Sequence, residues 1–282
     1  MSLLTSTLIG STHVSHDATN WRRRFRAIER RLVAAYGLPR LGNFRDPVRE
    51  VFYIVLSART TDKQYRETER RLHAAFPTLA ELAAGRIDRI RRCITSGGLA
   101  NRRAAQVKRI AKRIISELGN KPAARLKAMS SNEAFEFLTS LPGVGPKSAL
   151  CVMMYSLDHD VFPVDVNVHR IAERLGALPA GLKHYEAQAQ LPAAIPSGAS
   201  KALHIGLVVH GRQICKPLRQ KCDVCFLRRF CDYPRRMRIP LKRKREQTAD
   251  EAFRRWVERY SCSGSLRASR FTGDGLAFGV TR

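Results

Sequence analysis

The stretch LPGVGPKSA, residues 141–149, sets two glycines and two prolines in nine positions and puts a lone lysine, Lys147, just past the last of them. Upstream, NEAFEFLTSL repeats apolar residues at helical spacing, capped by Ser131 or Asn132, and runs straight into this corner. Downstream, Gly145 followed by Pro146 is the favoured order for a helix start, so a second helix is expected to about residue 157. Helix, tight corner, helix is therefore the local reading. It admits two meanings. The corner is either a plain helix-turn-helix joint with a solvated lysine, or a bend whose backbone N–H groups meet an anion beside a working amine.

Outward from the corner the same helical period recurs. Trp21, Phe25, Ile28 and Leu32 mark an N-terminal helix that ends near Gly37 and Pro39. Residues 47–58 are almost wholly apolar and predict a buried helix; residues 62–76 are amphipathic, with arginines outward. Thr78 caps a short helix, residues 87–95 make another, and residues 102–118 carry a clear apolar stripe. Beyond the corner, residues 161–164 read as extended, Asp165 opens a helix that ends at Gly176, and helices follow over about 185–195 and 201–213. No alternating strand pattern of useful length occurs, so the expected class is all-α. Residues 1–19 are small, polar and aperiodic and are expected to be disordered.

The charge balance names a partner class. The chain of 282 residues carries 51 Lys+Arg against 24 Asp+Glu, a formal net charge of +27. Residues 235–282 hold 13 and 5 of these, which leaves 38 and 19 for residues 1–234, so the body itself is strongly basic. Neutralising phosphates releases condensed counterions, and nucleic acid is the leading expectation ahead of a ribosomal or anionic-membrane surface. No apolar run approaches the roughly 18 to 20 residues that span a bilayer, and no basic-then-apolar leader opens the chain; an intracellular protein without membrane partners is expected.

Seven cysteines, four of them within residues 215–231, do not resemble a secreted disulfide framework. CKPLRQKCDVCFLRRFC sets Cys215, Cys222, Cys225 and Cys231 at C-x6-C-x2-C-x5-C. Four thiolates this close repel unless a metal neutralises them, and by spacing alone zinc and iron stand about level. Cys93, Cys151 and Cys262 receive no role, and His169 reads as a helix-surface residue.

Taken together, these motifs resemble the endonuclease III family of DNA glycosylases over residues 20–234. The cysteine spacing and its position downstream of LPGVGPK are those of the family's 4Fe-4S site, which implies a structural 4Fe-4S cluster on Cys215, Cys222, Cys225 and Cys231, with Lys216, Arg219 and Lys221 in a cluster loop that meets phosphates. LPGVG resembles the helix-hairpin-helix element, in which the backbone at Gly143, Val144 and Gly145 contacts DNA. The family's catalytic amine falls on Lys147. A useful nucleophile must lose its proton, and the helix start, neighbouring cations and a dry cleft are expected to lower its pKa.

The aspartate that completes the superfamily motif falls on Asp165, 18 residues on, as cap and as catalytic carboxylate. LSARTTD, residues 56–62, resembles the family's LSAQATD, so Arg59 is expected to fill the gap left by a flipped nucleotide. Leu99 is expected to wedge into the stack, with Ser57 and Asp62 lining the cleft. Asn167 departs from the nearest bacterial relatives, which have His there; FPVDVNVHRIAERLG looks as much like the plant 5-methylcytosine glycosylases.

The resemblance implies a six-helix barrel over residues 43–157 and an iron-sulfur lobe from residues 20–42 and 158–234, with DNA in the groove between them. Residues 235–282, with a charge run and an amphipathic stretch at 249–260, would form a basic extension that makes loose DNA contacts. The implied function is a monomeric bifunctional DNA glycosylase and AP lyase of base excision repair, acting on double-stranded DNA with a damaged base, chiefly an oxidised pyrimidine, or an abasic site. One alternative is a 5-methylcytosine or mismatch glycosylase with the same chemistry; another is a non-catalytic hairpin DNA-binding protein with structural zinc.

Overall fold

The computed structural model describes residues 14–39, 41–57, 62–94 and 100–239. They form helices joined by turns, with no strand among the described residues, so the all-α expectation holds. None of these helices is long and apolar enough to cross a membrane. Arg59, Leu99, Cys262 and the stretch 249–260 lie outside the described residues.

Two hydrophobic cores organise the chain. The first is built by α2 (Pro47–Ser57), α3 (Asp62–Ala75), α4 (Leu79–Ala84), α5 (Ile87–Ile94), α6 (Ala100–Leu118), α7 (Pro122–Ala128), α8 (Ser131–Ser140) and α9 (Pro146–Ser156). Along α6, Ala104, Val107, Ile110, Ala111, Ile114 and Leu118 form one buried stripe, the consequence of their 3.6-residue spacing. The second core joins α1 (Val14–Tyr36) to α10 (Val166–Leu175), α11 (His184–Gln190), α12 (Ser200–Gln213) and the cysteine loop. Trp21, Phe25, Ile28 and Leu32 are its N-terminal contribution, all buried. The crossing of α1 on α12 is close enough that a Cβ on Gly206 would lie 2.7 Å from that of Leu32.

Several boundaries differ from the sequence reading. Helix α1 starts at Val14, so residues 14–19 are helical rather than part of a disordered terminus. The cap of α8 is Ser130, not Ser131 or Asn132: its hydroxyl accepts from Glu133 N at 3.3 Å while Glu133 Oε2 accepts from Ser130 N at 2.8 Å. Both end-groups are satisfied only with glutamate at the third helical position. Helix α7 is an addition, started by Pro122 and burying only Leu126. Helix α11 stops at Gln190 and tightens into a 3-10 turn, Leu191–Ala194, where Pro192 has no N–H to continue the α-ladder. Residues 161–164 are extended but unpaired with any strand; Gln188 pins them, accepting from Val164 N at 2.8 Å and donating to Phe162 O at 3.0 Å.

Candidate active site and cysteine loop

The corner is a one-turn bend between α8 and α9. Val144 N donates to Leu141 O at 3.1 Å, and Gly143 sits at φ +72°, a left-handed conformation that suits glycine. Gln106 on α6 donates to Pro142 O at 2.9 Å and occupies the space a Cβ at residue 143 would need. Gly145 faces open space and is exposed, as a backbone approached by a ligand would be. The Val144 side chain is buried, and it holds the corner against the core of the first helical group.

Lys147 is the second residue of α9 and is half-buried. Its proton is held, contrary to the sequence expectation: the Cys151 thiol one turn along raises its pKa, burial lowers it, and Asp165 and Tyr65 raise it further. Burial pushes Cys151 itself up to about 11, so that thiol is uncharged at neutral pH and Asp165 is the charge then holding the ammonium.

Asp165 caps α10. Its Oδ1 accepts from Asn167 N at 2.9 Å and Val168 N at 2.8 Å, and its Oδ2 from Asn167 Nδ2 at 3.1 Å. Burial alone would raise this carboxyl, but His204, the Val168 N–H, Asn167 and Lys147 together hold it below the ordinary range. Cap and charged partner of Lys147 are thus one group.

Sequence reasoning passes over the groups behind this pair. Asn167 Oδ1 accepts from Arg170 Nη2 at 2.8 Å, and Arg170 Nε reaches Cys215 O at 3.0 Å, so a chain of hydrogen bonds links Asp165 to the cysteine loop. His204 is buried, bonded to Pro163 O at 2.9 Å, and pushed down to about 4 by burial. Glu50, fully buried on α2, accepts from Phe44 N at 2.8 Å and from Asn43, and burial pushes it up to about 7. His169 is half-buried instead of lying on the surface; its Nε2 has no hydrogen-bond partner among the described residues, and its ring stands 5.5 Å from that of His184. Ser57 closes α2 with its hydroxyl on Ile54 O, and Asp62 opens α3.

Cys215, Cys222, Cys225 and Cys231 line one small cavity with Arg174 and Tyr233, and none of the four is in a disulfide. Among the described residues no group of three or more His, Cys, Asp or Glu is arranged to hold a single metal ion. The surroundings suit thiolates nonetheless: Arg174 Nη1 points at Cys215 Sγ at 3.1 Å, and His210 Nε2 lies 3.4 Å from Cys225 Sγ. Without a cation, burial and mutual repulsion hold Cys222 and Cys225 protonated and push Cys231 up to about 11. A bound metal centre would reverse that penalty, so the donor set fits the 4Fe-4S group that the family resemblance implies. Arg174 also clamps the loop through Lys216 O at 2.8 Å and Pro217 O at 3.0 Å, which leaves Lys216 and Arg219 exposed and Lys221 half-buried.

Comparison with known proteins agrees with this arrangement. The model of the HhH-GPD superfamily of base excision DNA repair proteins matches residues 52–196. Endonuclease III of Thermotoga maritima is 29% identical over 198 residues, 70% of this chain and 88% of that one. Endonuclease III of Rickettsia conorii is 30% identical over 180 residues, 64% of this chain and 81% of its own. Among solved structures, a trapped covalent intermediate of endonuclease III with DNA superposes with a TM-score of 0.67 at 22% identity, covering 77% of this chain and 98% of that one. The chain therefore belongs to the HhH-GPD superfamily, as an endonuclease III family DNA glycosylase of base excision repair.

Proposed function

We propose that this glycosylase is bifunctional, with Lys147 as nucleophile and Asp165 as its carboxylate, and that it acts as a monomer inside the cell on duplex DNA bearing a damaged base or an abasic site. The observation that carries this reading is placement: Lys147 is the second residue of the helix that leaves the hairpin, and Asp165 caps α10 near enough that each bears on the other's ionisation. Lys147 must first give up the proton that Asp165 helps it hold. The free amine attacks C1′ of the extruded nucleotide; the C1′–N bond breaks, and the base leaves with its electron pair and collects a proton. Ring opening gives an imine between Nζ and C1′. The imine acidifies C2′, loss of that proton expels the 3′ phosphate, and water then releases the lysine. Asp165 stabilises the cationic sugar.

Support for the covalent route comes from the fold neighbour trapped on DNA as a covalent intermediate. DNA is held by the backbone at Gly143, Val144 and Gly145 and by Lys216, Arg219 and Lys221, with Arg59 and Leu99 proposed at the lesion. Cys215, Cys222, Cys225 and Cys231 would hold a 4Fe-4S cluster. When bound, it supplies a rigid node that stakes out the cationic loop, so ordering that loop costs little on binding.

Borohydride trapping on abasic duplex tests the nucleophile. Wild type is expected to cross-link and Lys147→Ala is not; equal trapping by both would remove Lys147 from the reaction. Oxidised pyrimidines are the proposed substrate. Asn167, where the bacterial relatives have His, and the likeness of the stretch around it to the plant 5-methylcytosine glycosylases support a second reading, a 5-methylcytosine or mismatch glycosylase, and cleavage of a panel of single-lesion duplexes separates the two.

A further inference from the structure

The cysteine loop has a partner that the reaction does not use. Tyr36, the last residue of α1, places its hydroxyl 3.0 Å from His210 Nδ1, and the other ring nitrogen of His210 lies 3.4 Å from Cys225 Sγ. His210 is only 1% exposed. Phe226, next to the ligand cysteine, stands edge-on to His210 at 5.1 Å and to Tyr36 at 5.5 Å. Two further α1 side chains hold the same loop: Arg24 donates to Phe230 O at 2.8 Å and Arg31 to Phe226 O at 3.4 Å.

Proton placement follows from what each atom can do. A thiolate bound to iron has no proton to give, so the contact at Cys225 requires N–H on His210 Nε2. In a neutral imidazole that leaves a lone pair on Nδ1, which the Tyr36 O–H satisfies. The tyrosine thereby fixes the tautomer, the role an outer group plays behind a metal-bound histidine, here moved one atom further out.

We infer that Tyr36 and His210 form an outer relay that directs a hydrogen bond into Cys225 Sγ and makes retention of the iron-sulfur cluster depend on helix α1. The inference rests on reading the four cysteines as cluster ligands. A hydrogen bond drains electron density from the sulfur, which favours the reduced cluster and protects the Fe–S bond against oxidation. It predicts a cluster that is held harder when the first helix is docked.

Full-length protein purified without oxygen provides the test, as wild type, Tyr36→Phe, His210→Leu and His210→Gln. The readouts are iron content, the rate of iron loss to a chelator in the presence of ferricyanide, and the cluster's midpoint potential. Tyr36→Phe keeps the ring and its packing, so it carries the test even if His210→Leu fails to fold. Iron loss about tenfold faster in Tyr36→Phe, a lower potential, and partial rescue by His210→Gln, which keeps an N–H donor, are expected. Unchanged potential and iron loss in Tyr36→Phe and His210→Leu, with iron present, would overturn the relay alone. A wild type that contains zinc and no iron would remove the cluster reading and the relay together.

Discussion

Asn167 donates its side-chain N–H to Oδ2 of Asp165 at 3.1 Å, and does so with the amide fixed from behind, because Arg170 holds its oxygen at 2.8 Å. The residue that departs from the bacterial pattern is thus the one that orients the carboxylate proposed for the reaction. Arg170 in turn is anchored on Cys215 O and Gly211 O. A carboxylate with one oxygen on the helix N-terminus and the other on this amide has little freedom to rotate.

Asn167→Leu should therefore lower kcat about tenfold, with KM for an abasic duplex nearly unchanged, since a loosened Asp165 stabilises the sugar cation less well while the DNA contacts persist. Asn167→His, which restores an N–H donor, should recover part of the loss. Single-turnover and steady-state rates on one duplex check this. A rise in KM at constant kcat would assign Asn167 to DNA binding instead.

The charge state of Lys147 gives a prediction with a sign. Its pKa is raised, so at neutral pH the reactive free amine is the minor form and its fraction grows as pH rises. Trapping by wild type should accelerate from pH 6 to pH 9. Asp165→Asn removes the neutral-pH charge that holds the proton, so burial prevails and the profile should move to lower pH even as the maximal rate falls by about a hundredfold. Cys151→Ala should leave the profile below pH 9 in place, because that thiol ionises only near 11. A Cys151→Ala shift equal to that of Asp165→Asn would show that the carboxylate is not what holds the proton.

What the sequence disclosed and what it hid divide along the range of each interaction. The apolar run of α2, the cap at Asp165 and the left-handed stop at Gly176 are written in a few neighbouring residues, and they fold as read. The cap of α8 was legible too: Ser130 stands three residues before Glu133, and that pairing separates it from Ser131 and Asn132. Helix α7 gives almost no periodic signal, since Leu126 alone is buried. The raised pKa of Lys147 runs against the sequence expectation because Cys151, its largest cause, carries no motif signal, and Asp165, which adds to it, comes from another helix. Arg170 and Arg174 follow Asn167 along one helix, but Cys215, which both of them reach, lies more than forty residues away, and no local pattern announces that contact.

Glu50 makes the same point energetically. It hides in an apolar helix, fully buried, with its pKa raised from 4.5 to about 7. A carboxyl raised on folding is ionised in the unfolded chain before it is in the native one. Stability is then lost as pH climbs from 4.5 to about 7, by about 3 kcal/mol if the shift is fully expressed. Glu50→Gln should remove that portion of the slope, so the variant gains on wild type through this window. Chemical denaturation at pH 5, 6, 7 and 8 reads the difference; a constant gap between the two proteins would mean that Glu50 titrates as an ordinary glutamate.

Gly206 tests how tightly the N-terminal helix is seated. A methyl group there would lie 2.7 Å from Leu32 Cβ and 3.1 Å from its Cδ1, closer than packed carbons tolerate, and Leu32 is wholly buried with no space to retreat. In an isolated helix, Gly→Ala is favourable by about 1 kcal/mol, so propensity and packing pull in opposite directions. Packing should win, because overfilling a close crossing costs about 1 to 3 kcal/mol and the clash falls on the backbone-proximal Cβ, which no rotamer change relieves. Gly206→Ala is expected to lower the midpoint of denaturation, and Leu32→Gly, which removes the opposing Cβ, should cost less in the Gly206→Ala background than in wild type. Thermal melts of the two single variants and the pair decide it: strict additivity would mean that the helices do not meet at these two residues.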